Sequence, residues 1–227
     1  MAQTRTVVSN EVQFNPNESL PIILQHSCES VSLWRCEMIL HCTKKLYAKL
    51  PESVKVAEPA TSAIGIQKHW LNWHANLVTI QRRQCIIAVH DTTRFTLFIP
   101  CLTKKNFANL DWHFNDVFVN TLLKSDMPPE LVNVAATNYQ PLTFDTICNR
   151  SVQGTMNQVA QDIDYGFYYN RASVADICAY RYSADLNHRP CGVKGQKDYI
   201  WPDKEMAKLL LRLSTKIAVG AASTSLH

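Results

Sequence analysis

One stretch, Thr143 to Tyr169, limits the possible folds of this chain more than any other. A β-rich run ends at Asn149-Arg150-Ser151 and is followed at once by apolar residues at Val152, Met156, Val159, Ala160, Ile163 and Phe167. Those spacings put the apolar side chains on one side of an α-helix. The segment is therefore a strand feeding an amphipathic helix, whose apolar face needs a layer to lie on.

The rest of the chain supplies that layer. Met38 to Cys42 reads as a short buried strand, with Thr43 as the cap of a helix that stacks Leu46 over Leu50 before Pro51. Leu77 to Ile80, Cys85 to Val89 and Phe95 to Ile99 are β-rich runs, with polar turns at Gln81-Arg82-Arg83-Gln84 and His90-Asp91-Thr92. Spacing this close predicts an antiparallel three-strand meander, which Pro100 closes. From Asn106 to Lys124, Leu110, Phe114, Val117, Phe118 and Leu122 share a helical face, and Pro129 opens a short helix. Leu142 to Cys148 reads as a further strand, and Ser173 to Tyr182 and Pro202 to Leu213 as further helices. The predicted architecture is α+β: a small, mostly antiparallel sheet covered by several helices. The ordered pattern starts at Met38. Residues 1–37 are read as a poorly ordered extension, 38–215 as one domain and 216–227 as a flexible tail.

At 227 residues and 46% apolar composition, the chain can bury a continuous core. It has no run long enough to span a membrane and no secretory start, so the expectation is a soluble, cytoplasmic protein. The eight cysteines form no Cys-x-x-Cys pair, which argues against zinc or a redox dithiol; no metal and no cofactor is implied. Cys85, Cys148 and Cys178 read as small buried hydrophobes. Net charge is +4 but unevenly spread: Met38 to Leu110 has ten Lys/Arg against three Asp/Glu, and Asp111 to Asn170 has two against seven. A basic third beside an acidic third can present a positive face to RNA, DNA or an acidic protein, or the two can neutralise each other within the fold.

Two constellations are candidate sites. At Asn149-Arg150-Ser151, the unsatisfied first amides of the helix favour an anion, Arg150 is placed to clamp it, and Gly154 and Asn157 follow in the first turns. The alternative is that Ser151 only caps the helix and Arg150 pairs with an acidic neighbour. The second is Trp73 and Asn76 near the first meander strand, with Trp70 and His74 beside them, Arg82 and Arg83 at its turn, and Lys104 and Lys105 after its last strand. Rings and cations around a small sheet are what single-strand nucleic-acid binders use. Tryptophans in such places also serve as core lids.

Catalysis has less support. His41, His74, His90 and His113 fall in separate elements; His74 and His90 are the weak candidates for a base, the latter with Asp91 as its orienting carboxylate. The fingerprints of serine hydrolases, zinc peptidases, dinucleotide sites and phosphate loops are missing from the sequence.

Three stretches together resemble one family: Met38-Ile39-Leu40-His41-Cys42-Thr43-Lys44-Lys45-Leu46; then Trp73-His74-Ala75-Asn76-Leu77 with Arg82-Arg83 and Thr93-x-Phe95 through Pro100; then Asn149-Arg150-Ser151-Val152-x-Gly154-x-Met156-Asn157. They are similar to the bacterial and plasmid-borne proteins grouped as domain of unknown function 6933. The resemblance runs from Met38 to about Leu213 and leaves out the first 37 residues and the Glu52 to Lys68 insert. It implies an intact fold and carries over no catalytic role. The function expected is a non-catalytic accessory module that binds nucleic acid or another phosphate-bearing or acidic partner. The rivals are a small metal-independent nuclease or toxin-like enzyme, and a protein-interaction module of a plasmid or phage-defence locus.

Overall fold

The computed structural model describes residues 38–55, 66–193 and 195–224, with side chains at 38–55, 69–193 and 195–215. The extension at 1–37 lies outside the described residues, as do the last residues of the tail and its side chains. Five strands form one sheet: β1 (Met38–Cys42), β2 (Asn72–Ile80), β3 (Arg83–His90), β4 (Thr96–Ile99) and β5 (Leu142–Asp145), in the order β4-β3-β2-β1-β5. The helices are α1 (Lys44–Tyr47), α2 (Ile66–Leu71), α3 (Lys104–Ala108), α4 (Leu110–Lys124), α5 (Pro129–Thr137), α6 (Arg150–Asn170), α7 (Ala179–Asn187) and α8 (Pro202–Thr224).

The class is α+β, but the sheet is mixed rather than mostly antiparallel. β2, β3 and β4 form the meander, whereas β1 runs parallel to both β2 and β5. The reason lies in the connections. A parallel neighbour needs a long crossover, and the chain makes one from β1 to β2 and another from β4 to β5, both containing helices. Short-range spacing reveals hairpins and says nothing about strands paired over such distances.

β2 also begins at Asn72, before the apolar run that marks it in the sequence. Period-2 alternation explains the extra length: Trp73, Ala75 and Leu77 point to one face, and His74, Asn76 and Val78 to the other. The β2–β3 turn is tight, with Gln81 and Arg82 both at positive φ (47° and 63°), as a two-residue hairpin turn requires. One face of the sheet, with Leu40, Trp73, Ile86, Leu97 and Phe144, packs against α4, α5 and α8; Trp73 meets Phe114 and Phe118 edge-on at 5.0 and 5.4 Å. On the other face, Ile80, Ile87, Val89 and Phe98 pack against Val152, Met156, Ile163 and Phe167 of α6.

Three further expectations are corrected. The helix expected over Asn106–Lys124 breaks at Asn109, and Thr103 opens α3 in a reciprocal capping box with Asn106. The helix placed at Ser173–Tyr182 starts at Ala179. Cys85 is buried as expected, but Cys148 and Cys178 are exposed, because β5 stops at Asp145 and the chain enters open loops at both cysteines. Among the described residues no helix is long and apolar enough to cross a membrane.

Candidate functional site

The polar residues of interest meet where the parallel strands end and α6 begins. Register puts His41 of β1 opposite His74 of β2 on one side and Asp145 of β5 on the other. Alternation sends the neighbours Leu40, Trp73 and Phe144 into the opposite core, so His41, His74 and Asp145 share the α6 face. Crevices beyond the carboxyl ends of parallel strands are a frequent place for ligand sites.

Two histidine–carboxylate pairs are built here. His41 Nδ1 lies 2.6 Å from Asp145 Oδ1, and His74 Nδ1 lies 2.6 Å from Asp91 Oδ1. The rings lie against each other at a centroid distance of 4.7 Å, tilted by 49°. Their second nitrogens differ in use. The amide of Asn149 donates to His74 Nε2 at 2.8 Å, so that nitrogen is an acceptor and His74 carries its proton on Nδ1. Asp145 Oδ1 also accepts from the Ile147 amide at 3.1 Å, which marks it as an acceptor for His41 Nδ1–H. His41 Nε2 is therefore the lone pair, and among the described residues it accepts no hydrogen bond. His41 lines a cavity of about 430 Å³ together with Thr43, Lys44, Lys45, Cys148 and Gln153.

The ligand atoms of His41, His74 and Asp91 lie within 4.8 Å of one another, which raises the question of a metal. The donor chemistry fits poorly. His74 presents its Nε2 lone pair to a backbone N–H and its Nδ1–H to a carboxylate, so it has no lone pair directed at a shared centre.

A second cavity, of about 380 Å³, opens on the other flank of α6. Its wall includes Arg94, Ser151, Gly154, Thr155, Arg189 and Cys191. Arg94 ends the β3–β4 turn with φ 60° and is only 5% exposed. Its Nη1 donates to the Asp91 carbonyl and its Nη2 to Ser151 Oγ at 3.0 Å, while its buried Nε has no partner. Burial lowers the Arg94 pKa, with Asp91 opposing, yet a guanidinium starts high enough to stay charged. Burial likewise pushes the Cys191 thiol up, against the pull of Arg94.

The residues singled out from the sequence fall into three groups. At the α6 start, Asn149 is the cap: its Oδ1 accepts the Ser151 amide at 3.0 Å. Ser151 instead receives Arg94 through its hydroxyl. Arg150 and Asn157 are exposed and line neither cavity, so the cation at this corner is Arg94, with Arg189 beside it, rather than Arg150. Gly154 faces the Arg94 cavity with open space around it. The meander group does not converge on the corner. Arg82 and Arg83 occupy the far turn, and Lys104 and Lys105 lie near them, since Leu102 bonds Gln84. From His74 to that turn is seven residues of strand, roughly 20 Å. Trp73 is fully buried and Trp70 nearly so, so neither tryptophan of this group offers a face for a base to stack on. Asn76 Oδ1 accepts from Thr43 Oγ1 at 3.1 Å, so Thr43 spends its hydroxyl on β2 and not on capping α1.

His90, the other weak candidate base, is fully buried. Its Nδ1 accepts from Thr93, its Nε2 faces the Trp70 carbonyl at 3.2 Å, and burial lowers its pKa to about 4. It is a neutral core group, and its chain neighbour Asp91 orients His74 instead. The chain belongs to the DUF6933 family. Its domain of unknown function matches residues 39–205, from β1 into α8, and thus takes in the wall of both cavities. No curated protein and no solved structure matches the chain. Within this DUF6933 domain the sequence reading missed Asp145, Arg94 and Arg189. The first is signalled by a carboxylate ending a buried strand, the second by a lone cation in a tight turn.

Proposed function

We propose that the protein binds a compact phosphate-bearing or similar anionic ligand in the Arg94 cavity, at the positive end of α6. One observation carries the reading: a guanidinium 95% removed from solvent, ion-paired to no carboxylate among the described residues, with a buried Nε still unspent. A buried charge with only a nearby Asp91 to balance it is costly, and an anion seated between Arg94, Arg189 and the hydroxyls of Ser151 and Thr155 offsets that cost against the repulsion of Asp162 on the same wall. The helix dipole adds to the same preference. Burial of Trp70 and Trp73 and the distance of Arg82 and Lys104 favour a small anion over a nucleic-acid surface built on the meander.

Titration with inorganic phosphate and pyrophosphate at low salt tests the reading, by calorimetry and by the shift in melting temperature. Saturable binding that weakens with salt, and that falls at least tenfold in Arg94→Lys and Arg189→Ala, is the expected result. Arg189 is exposed, so its loss leaves the fold intact, and Arg212→Ala on α8 controls for net charge. Absent binding in the wild type, or equal binding in all three variants, overturns the reading.

A further inference from the structure

We infer that the His41 cavity is a second, reactive site, in which His41 acts as general base in cleaving a ribonucleotide phosphodiester. The two cavities lie on opposite flanks of α6, so this site stands independently of the Arg94 reading.

The geometry is that of an oriented base. Asp145 fixes the His41 tautomer through Nδ1 at 2.6 Å, and the Ile147 amide holds Asp145 in turn. The free Nε2 belongs to a ring that is only 8% exposed and lines the cavity. His74 packs against that ring, tilted to it, but has its own lone pair committed to Asn149, so of the two imidazoles only His41 is available as a base. Lys44 and Lys45, both exposed, line the same cavity within reach of a bound phosphate, and Thr43 and Gln153 supply hydrogen-bonding groups. The volume, about 430 Å³, is in the ordinary range of small-ligand sites.

A lone base with two cations suits a substrate that brings its own nucleophile, since an internal hydroxyl is worth a very large effective concentration. The 2′-hydroxyl of a ribonucleotide, next to its own phosphorus, is such a group. Its proton passes to His41 Nε2 while its oxygen bonds to phosphorus. The phosphorus–O5′ bond then breaks with its electron pair, and O5′ takes a proton from a lysine ammonium, which solvent replaces. His41 returns its proton to solvent. The ends formed are a 2′,3′-cyclic phosphate and a 5′-hydroxyl. The lysines also neutralise charge developing on the phosphoryl oxygens.

The test incubates the full chain with end-labelled single-stranded RNA, and with DNA of the same sequence, in EDTA. RNA cut to cyclic-phosphate ends with DNA intact is the expected result. His41→Ala lowers the rate roughly hundredfold to ten-thousandfold, and added imidazole restores part of it. His41→Gln, which keeps a polar side chain, is the second variant, and only variants with wild-type circular dichroism are scored. Intact RNA, cleavage of DNA at the same rate, undiminished cleavage by folded His41 variants, or failure of imidazole to rescue folded His41→Ala overturns the proposal.

Discussion

The amide N–H of Asn149 donates to Nε2 of His74 with 2.8 Å between the two nitrogens, although 75 residues separate them in the chain. This contact ties the loop after β5 to the middle of the sheet and sets the position from which α6 starts. It also leaves His74 acting as a fixed acceptor, with Asp91 holding the other side of the ring.

Replacing His74 with alanine therefore leaves the Asn149 amide and the Asp91 carboxylate without their partner. A cost of about 1–3 kcal/mol is expected from an unmet buried hydrogen bond. Urea unfolding measures the cost, and amide exchange locates it: protection at Asn149 falls before that of the β2–β3 ladder. If exchange at Asn149 is unchanged, the contact does not anchor α6.

Local patterns mark the buried faces of the long helices α4 and α6, because a helix face repeats within a few residues. Leu110, Phe114 and Phe118 of α4, and Val152, Met156 and Ile163 of α6, are buried where the spacing put them. The partnership of His41 with Asp145 spans 104 residues and depends on which strands are parallel neighbours, which no local pattern encodes. Arg150 shows a different limit. Its place in the first turn was legible, but the direction of its side chain was not, and the cation that reaches the corner comes from a turn 57 residues away from Ser151. Trp73 was legible as an aromatic near a strand, while its burial followed from a β2 longer than its apolar run.

His90 should make stability depend on pH. Folded, it has its pKa lowered from 6.5 to about 4, chiefly by burial, so it stays neutral where the unfolded chain takes up a proton. Protons then favour the unfolded state, and stability falls as pH drops from 6.5 towards 4, by roughly 3 kcal/mol at most. Denaturant unfolding across that window, compared with His90→Gln, isolates this share from that of the other histidines. Equal slopes in the two proteins would mean that His90 is not held neutral.

Gly154 separates stability from binding. It sits in the first turns of α6, exposed, and a Cβ there meets nothing within 4 Å. Gly154→Ala should raise stability by about 0.5–1 kcal/mol through helix propensity. Gly154→Leu should fold equally well but project into the Arg94 cavity and weaken phosphate binding. Melting curves and the phosphate titration, run on both variants, check the two effects; a leucine that leaves affinity untouched places the ligand elsewhere.

β4 is an edge strand, and side chains of α7 close it. Asn187 Oδ1 accepts the Thr96 amide at 2.7 Å, its Nδ2 donates to the Thr96 carbonyl at 2.8 Å, and Ser183 Oγ accepts the Phe98 amide at 2.9 Å. The Thr96 amide and carbonyl and the Phe98 amide are thereby satisfied without another strand, which guards a free edge against pairing with a second chain. Asn187 is fully buried, so Asn187→Ala leaves both Thr96 groups unmet, at about 1–3 kcal/mol for each. Asn187→Asp keeps the acceptor, loses the donor and brings a charge into the interior, so it should be the more damaging near neutral pH. Unfolding midpoints rank the two, and light scattering on warming shows whether the uncovered edge recruits other molecules. An alanine variant with wild-type stability and no added aggregation would show that the α7 side chains do not protect β4.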